Sequence, residues 1–418
     1  MPTTNSGQNA RINRRASQPE NRFFHYLFFL YLIIEFVRPQ SLIPAIGLLR
    51  PALIAGVCLA IFSIANLKNS WDADKSIRLL LIFFALAAAS VLFATNNFWA
   101  FQYTQLIFLY VFAAIIPMCL LITTVEKFQT LLLFWVGIHT YLALYCLTHG
   151  GKGPGGFLED ENDIALALNV AIPFAYFFAQ SAALSTSRRI LIAVAGIVMV
   201  AAVVATASRG GFVGLAVTAA AAIWFSKQRV RNAFLLGAAA LVFWALIPQE
   251  YKGEIQSISD TEDNTRLDRI YSWTRGWEMF VDNPVFGVGV GNYPWRVAEY
   301  EILSGSNYGQ RKMLGGRAAH SLYFTLLPET GSAGTLVVLG LLVGFFKNVR
   351  RRPEFQDIPE SREWHFLDGA RRAIQVSMVG FLVTAIFISV LYYPQMWYLI
   401  GLGLVFSAMY SKFASDKG

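Results

Sequence analysis

Runs of roughly 20 predominantly apolar residues recur along nearly the whole chain, and this feature fixes the solvent in which it folds. About 20 apolar residues are what one helix needs to cross the hydrocarbon core of a bilayer, with a range of about 17–25. Helix is the conformation such a run adopts there, because lipid offers no partner to backbone N–H and C=O groups. Twelve runs stand out, near 23–37, 45–66, 77–95, 103–124, 128–147, 164–182, 189–206, 211–226, 232–248, 321–346, 373–391 and 393–411. The first is short for a span, and the last two are separated only by Tyr392, Tyr393 and Pro394. Charged residues supply 14% of the chain, against about a quarter in a soluble protein, so lipid meets most of its surface. The expected fold is an all-α polytopic membrane protein with about 12 transmembrane helices.

The net charge of +8 does not point to nucleic acid. The basic residues sit in short clusters between apolar runs, as topology signals do. Cys58, Cys119 and Cys146 lie in or beside apolar runs without paired spacing, which argues against a disulfide framework or a zinc site. The basic N-terminal stretch precedes an apolar run with no small-residue cleavage site, so that run is expected to be retained as the first helix.

The loops set the orientation. With the N-terminus in the cytoplasm, 22 of the 34 basic residues fall inside. Eight of the other twelve fall in one long loop, and long loops cross largely regardless of charge. The expected organisation is a cytoplasmic tail at 1–22, nine helices over 23–248, an extracytoplasmic loop at 249–320, three helices over 321–412 and a cytoplasmic tail at 413–418. Within the loop, Ile270, Trp273, Trp277 and Phe280 recur at helical spacing and Asn283-Pro284 ends the pattern. Asp263 or Thr265 is placed to cap that helix. A glycine-rich turn, Gly287-Val288-Gly289-Val290-Gly291-Asn292, follows.

Four features of the outer face carry candidate chemistry. Ser208-Arg209-Gly210-Gly211 puts an arginine at a membrane boundary, where it either snorkels or faces a cavity. Its glycines let backbone approach a bulky anion. Arg266 and Arg269, three apart on the loop helix, share one face. They offer guanidinium forks to phosphate oxygens, or form a solvated face paired with Asp263 or Asp268. His320 falls where the loop re-enters the membrane. There the positive end of a helix dipole favours its neutral form, which accepts a proton from a sugar hydroxyl; the plain alternative is an interfacial histidine bonded to backbone. Glu159-Asp160-Glu161-Asn162-Asp163 either holds a hard cation or caps the next helix through Asp160, Asn162 or Asp163, and the cap is the reading favoured. Asp72-Ala73-Asp74 falls on the cytoplasmic side among basic residues and reads as a solvated loop. Glycines 287, 289 and 291 lack the spacing and strand–helix context of a dinucleotide fingerprint, and no P-loop, zinc motif or nucleophile elbow is present.

Three segments in order resemble the O-antigen ligase and polymerase superfamily of bacterial envelope proteins. Thr206-Ala207-Ser208-Arg209-Gly210-Gly211 resembles its S-R-G segment. Arg269-Ile270-Tyr271-Ser272-Trp273, running on through Asp282-Asn283-Pro284-Val285-Phe286-Gly287-Val288-Gly289, resembles its arginine–tryptophan helix and D-x-P-x-x-G-x-G. Ala319-His320-Ser321-Leu322-Tyr323, with Glu329-Thr330-Gly331 beyond, resembles its histidine segment and E-x-G. The likeness covers about 155 to 345. Phe36-Val37-Arg38-Pro39-Gln40-Ser41 also resembles an early segment of exosortase-associated O-glycosylation ligases.

The resemblance implies a helical GT-C-like membrane glycosyltransferase in the inner membrane, its active site facing the periplasm. The donor would be an undecaprenyl-pyrophosphate-linked glycan and the acceptor lipid A–core, with membrane lipids the other partners and no nucleic acid. His320 would be the base. Arg209, Arg269 and Arg266 would hold pyrophosphate, with Arg38, Asn162 and Arg317 as further candidates at the same face. Arginine charge would make a metal or other cofactor unnecessary, and one displacement with inversion is expected since no carboxylate nucleophile is evident. An O-antigen polymerase or a protein O-glycan ligase would use the same donor. A lipid or glycan transporter is the rival of another class, but no internal repeat is seen and the charges of interest gather at the outer face.

Overall fold

A computed structural model describes residues 21–68, 75–234, 237, 264–303, 314–350 and 361–415. All regular structure among them is helical. In chain order the helices are α1 (Arg22–Phe36), α2 (Pro39–Leu42), α3 (Pro44–Leu48), α4 (Pro51–Ala65), α5 (Lys75–Ser90), α6 (Asn97–Leu121), α7 (Val125–Thr148) and α8 (Glu161–Ala179). They continue with α9 (Thr186–Ala205), α10 (Arg209–Trp224), α11 (Asn264–Asp282), α12 (Tyr293–Leu303), α13 (Tyr323–Val349), α14 (Arg362–Thr384) and α15 (Pro394–Ser415). Among the described residues, α6, α7, α8, α9 and α13 are long and apolar enough to cross a membrane, and α4 and α10 are shorter apolar helices.

Local chemistry sets many helix starts. The side chains of Asn96, Thr124, Asp160, Ser208 and Ser361 each accept from a backbone N–H of the first turn, taking up a donor the helix cannot satisfy. Proline begins α2, α3 and α4, where its missing N–H has no cost. Two expected spans are broken. The run at 45–66 divides into α3 and α4 at Arg50, whose φ is +46°. The run at 373–391 is helical only to Thr384, within a helix that starts earlier, at Arg362. Beyond Thr384 the chain turns to partners elsewhere: Leu322 N–H donates to Ala385 C=O at 2.8 Å, and Ser321 N–H to Ser389 Oγ at 3.3 Å. The connection before α15 therefore runs from 385 to 393, longer than Tyr392-Tyr393-Pro394 suggests. The run at 232–248 lies mostly outside the described residues, as do the two termini and Asp72-Ala73-Asp74.

The centre of the bundle is α8, packed against α9, α10 and α14. Small residues set the α10–α14 spacing. A Cβ on Gly214 would collide with Thr384 Oγ1, and one on Gly380 with Thr218 Oγ1. Two helices with no hydrophobic effect between them associate through such close backbone approach. Buried Asn169 of α8 donates to Gly211 C=O at 3.0 Å, and Ser377 of α14 to Val170 C=O at 2.6 Å. These contacts lock the start of α10 against α8, beside the end of α14.

The segment after α11 docks on a kink in α13. Within α13 Gly331 has φ +61° and ψ −164°, and Pro328 removes a further helical donor. The freed backbone is satisfied across the kink. Val288 and Gly289 N–H donate to Pro328 and Glu329 C=O at 2.8 and 3.0 Å, and Ser332 and Ala333 N–H to Pro284 and Val285 C=O at 2.8 and 3.0 Å. Glu329, 1% exposed, accepts from Gly291 N–H at 2.8 Å, from Tyr293 N–H at 2.9 Å and from Tyr392 Oη. The glycine turn and the E-x-G segment are thus two halves of one joint.

Candidate active site

One end of the bundle gathers segments from widely separated parts of the sequence. Ser208 caps α10 through Gly211 N–H at 2.9 Å and donates to Asn162 Oδ1 at 2.7 Å. Asn162 N–H and Nδ2 donate to Asp160 Oδ1 at 2.8 and 2.7 Å, which makes Asp160 the residue that caps α8. Asp163 accepts from Tyr393 Oη at 3.1 Å. The acidic run is therefore engaged in capping and in holding the 385–393 connection, beside a cavity of about 370 Å³ lined by Lys152, Gly156, Glu159, Asp160, Glu161 and Asp163. Among the described residues no three His, Cys, Asp or Glu side chains converge as a metal-binding group.

Phe387, on that connection, joins the two arginine segments. The Arg269 guanidinium lies 6.0 Å from the centre of its ring, and a Cβ on Gly210 would sit 3.6 Å from its own Cβ. Arg209, next to Gly210, starts α10 and is half-buried. Its S-R-G segment and Arg269 thus both approach Phe387.

His320 completes this arrangement. It is exposed at the site, with φ +52°. Partial burial lowers its pKa, and Arg269 and Arg317 lower it further, while Asp160 acts in the opposite direction. The histidine segment is held from both sides. Trp273 Nε1 donates to Ala319 C=O at 3.0 Å and stacks on Phe324 at 5.2 Å. Tyr323 Oη donates to Leu382 C=O at 2.8 Å. Arg317 is exposed. Arg266 lies in the first turn of α11, and its side chain is outside the described ones.

Arg38 reaches the same end by another route. Its guanidinium lies 5.6 Å from the centre of the Phe157 ring, which is itself 5.9 Å from Tyr393. It also fills the space a Cβ on Gly156 would need. Arg38, Ala207 and His320 are three of the four non-glycine residues with positive φ among the described residues. Left-handed backbone at such residues costs roughly 1–2 kcal/mol and gathers at functional sites.

Several contributors escape a reading of the sequence. Phe387, Tyr392 and Tyr393 lie in what reads as an apolar run and its spacer, and only the Tyr-Tyr-Pro interruption signals them. Trp273 is legible as a helix residue, but not as a donor to Ala319. The apolar stripe of the loop helix is also only partly buried: Trp273 and Phe280 are half-buried. Ile270 is 47% and Trp277 52% exposed, whereas Ser272, Arg275 and Met279 are buried. Ser272 Oγ meets Tyr293 Oη at 2.7 Å and Arg275 donates to Tyr300 C=O at 3.2 Å, while Met279 packs with Val288, Tyr293 and Val297, so α11 is held by polar and apolar contacts together.

A search of curated proteins returns no match to the chain. Residues 169–339 match the family model described as O-Antigen ligase. That stretch contains Arg209, Arg269, Arg317, His320 and the Glu329 joint, while Arg38, Asn162 and Phe387 lie outside it. This domain spans about two-fifths of the chain; it supports a place in the O-antigen ligase superfamily and a membrane glycosyl-transfer function of the ligase and polymerase type.

Proposed function

We propose that the chain is a glycosyltransferase of the bacterial inner membrane that moves an O-antigen glycan from undecaprenyl pyrophosphate to lipid A–core. The observation that carries this reading is that Arg269 and Gly210, next to Arg209, both approach Phe387, while Ser321 and Leu322, beside His320, bond Ser389 and Ala385 of the same connection. In this reading the acceptor hydroxyl oxygen attacks the anomeric carbon. His320, neutral at physiological pH, takes the hydroxyl proton on a ring nitrogen. The bond between the anomeric carbon and the pyrophosphate oxygen breaks, the lipid pyrophosphate leaves with the electron pair, and the configuration inverts.

Arg209 and Arg269 stabilise the charge that develops on the leaving group, with Arg266, Arg317 and Arg38 adding to the field. That fixed positive charge takes the place of a metal ion. Asn162 holds the Ser208 turn that starts the Arg209 helix. The exposed apolar face of α11 lies against the bilayer surface, beside the lipid donor. The topology read from the basic residues supports the same side. Arg38, Asp160, Ser208, His320 and Tyr393 all come from predicted outer segments and meet at one end, while Lys227, Arg229 and Arg371 lie at the other.

The test is transfer by purified protein in proteoliposomes supplied with an undecaprenyl-pyrophosphate-linked glycan and rough lipopolysaccharide. The expected product is lipid A–core heavier by the glycan, formed equally with EDTA present. Glycan added instead to a second lipid-linked chain would make the protein a polymerase, and glycan on a protein acceptor would make it a protein O-glycan ligase. Activity lost in EDTA and restored by Mg²⁺ would overturn the metal-independent mechanism and promote Asp160 and Asp163 to ligand candidates.

A further inference from the structure

A second cavity of about 650 Å³ lies at the opposite end of α10. The helix has 16 residues from Arg209 to Trp224, so at 1.5 Å per residue this cavity is about 24 Å from the site. Five of its ten lining residues are basic, Lys227, Arg229, Arg231, Arg371 and Arg372, and none is acidic.

The walls are fixed in place. Buried Asn232 donates to Tyr176 Oη at 2.7 Å and to Ser226 Oγ at 2.6 Å, which pins the 226–232 turn to α8. On the α14 side, one carboxylate organises two arginines. Asp368 accepts from Arg371 at 2.8 Å and also from Arg372. Arg371 is braced again by Gln375 Oε1 at 2.9 Å. Among the described residues, Asp368 thus organises two of the five cations, and the ten lining residues themselves carry no negative charge.

The rim has a different character. Trp224, Val230 and Phe234 are 67%, 85% and 75% exposed, and the Arg229 guanidinium lies 5.2 Å from the Trp224 ring centre. Exposed tryptophan marks the level of lipid headgroups. A basic cavity at that level, with apolar side chains beside it, matches a ligand with a phosphate at one end and acyl chains at the other.

We infer that this cavity binds the phosphodiester headgroup of an anionic glycerophospholipid. Arg371, Arg372 and Arg229 receive the phosphate oxygens, and the chains lie along Trp224 and Phe234. A glycosyl group has no part in this site, so its occupancy is independent of transfer at His320.

The test titrates the full-length protein, in neutral detergent, with phosphatidylglycerol, phosphatidylcholine or inorganic phosphate, and reads the thermal unfolding midpoint. Phosphatidylglycerol should raise the midpoint at concentrations about tenfold or more below those needed of phosphatidylcholine. Inorganic phosphate should have little effect. The combined variant Lys227→Gln, Arg229→Gln, Arg231→Gln leaves the Asp368 cluster intact and should weaken the phosphatidylglycerol effect by about tenfold or more. Arg229→Gln alone, the variant to use if the combination does not fold, should weaken it by about threefold to tenfold. Removing equal charge away from the cavity, by Lys127→Gln, Arg188→Gln and Arg362→Gln together, should leave the effect unchanged. Equal responses to the two lipids, or equal losses in the two triple variants, would overturn the inference. Protection by inorganic phosphate as strong as by phosphatidylglycerol would overturn its assignment to a lipid.

Discussion

The indole Nε1 of Trp273 donates to the carbonyl of Ala319 at 3.0 Å, one residue before His320. This bond ties the loop helix to a histidine held at positive φ, and the stacking of Trp273 on Phe324 sets its direction. Trp273→Phe keeps a ring to stack on Phe324 and removes the donor. Small displacements of a reacting group cost up to about 10²-fold in rate. The variant should therefore lose about 10–100-fold in kcat, with a smaller change in KM and a folded protein by thermal unfolding. Wild-type kcat would mean that Trp273 has no positioning role.

Glu329 is the buried carboxylate of the joint between the glycine turn and α13. It accepts from two backbone N–H groups and from Tyr392. Hydrogen bonds to a charged acceptor contribute about 1.5–3 kcal/mol each. Glu329→Gln replaces one acceptor oxygen by an NH₂ group that faces donors. It should lower the thermal midpoint clearly, and lower activity in proportion to the folded fraction. A stable variant with normal activity would remove the joint from the architecture.

Much of the helical layout is legible in the sequence, because it depends on local chemistry. Apolar runs and the Asp160 cap act within a few residues. The proposed site is legible only where a motif carries it, at Arg209, Arg269 and His320. The remainder depends on pairs far apart in the chain. Tyr393 and Asp163 are separated by 230 positions, and Gly214 meets Thr384 only because two helices cross there. Periodicity describes one helix and carries nothing about such encounters. The loop helix shows the converse: its apolar stripe is plain to read, yet Ile270 and Trp277 stay exposed while Ser272 and Arg275 are buried with Met279.

Gly331 tests the kink itself. Its φ is +61°, and a Cβ there would collide with Val285 C=O. Gly331→Ala should destabilise the protein by about 1–3 kcal/mol or more. Gly137 lies within α7 with nothing within 4 Å of its added Cβ, so Gly137→Ala should be neutral or stabilising by up to about 1 kcal/mol. Chemical unfolding of the two variants side by side checks the contrast. Equal effects would argue that the kink is not required.

The pH dependence follows from the surroundings of His320. Partial burial, with Arg269 and Arg317 nearby, holds its pKa below the ordinary 6.5. A lowered pKa keeps the base neutral into mildly acidic solution, so activity should hold through neutral pH and fall only below about 6.5. Arg269→Gln removes a positive neighbour, which raises the pKa and should move that limb toward neutral pH. A limb that stays fixed in the variant would show that His320 does not feel Arg269.

The most direct measurement is the single-turnover transfer rate of His320→Ala in proteoliposomes, with donor binding measured on the same preparation. A positioned general base contributes typically 10²–10⁴-fold. The variant should lose about that factor, bind the pyrophosphate-linked donor as wild type does, and no longer show the acidic limb, while His149→Ala stays close to wild type. Near wild-type turnover in His320→Ala, with the protein properly inserted, would contradict the assignment of His320 as the base. Loss of donor binding with turnover of bound donor unchanged would contradict it equally, making the histidine a pyrophosphate ligand and leaving the proton to another group.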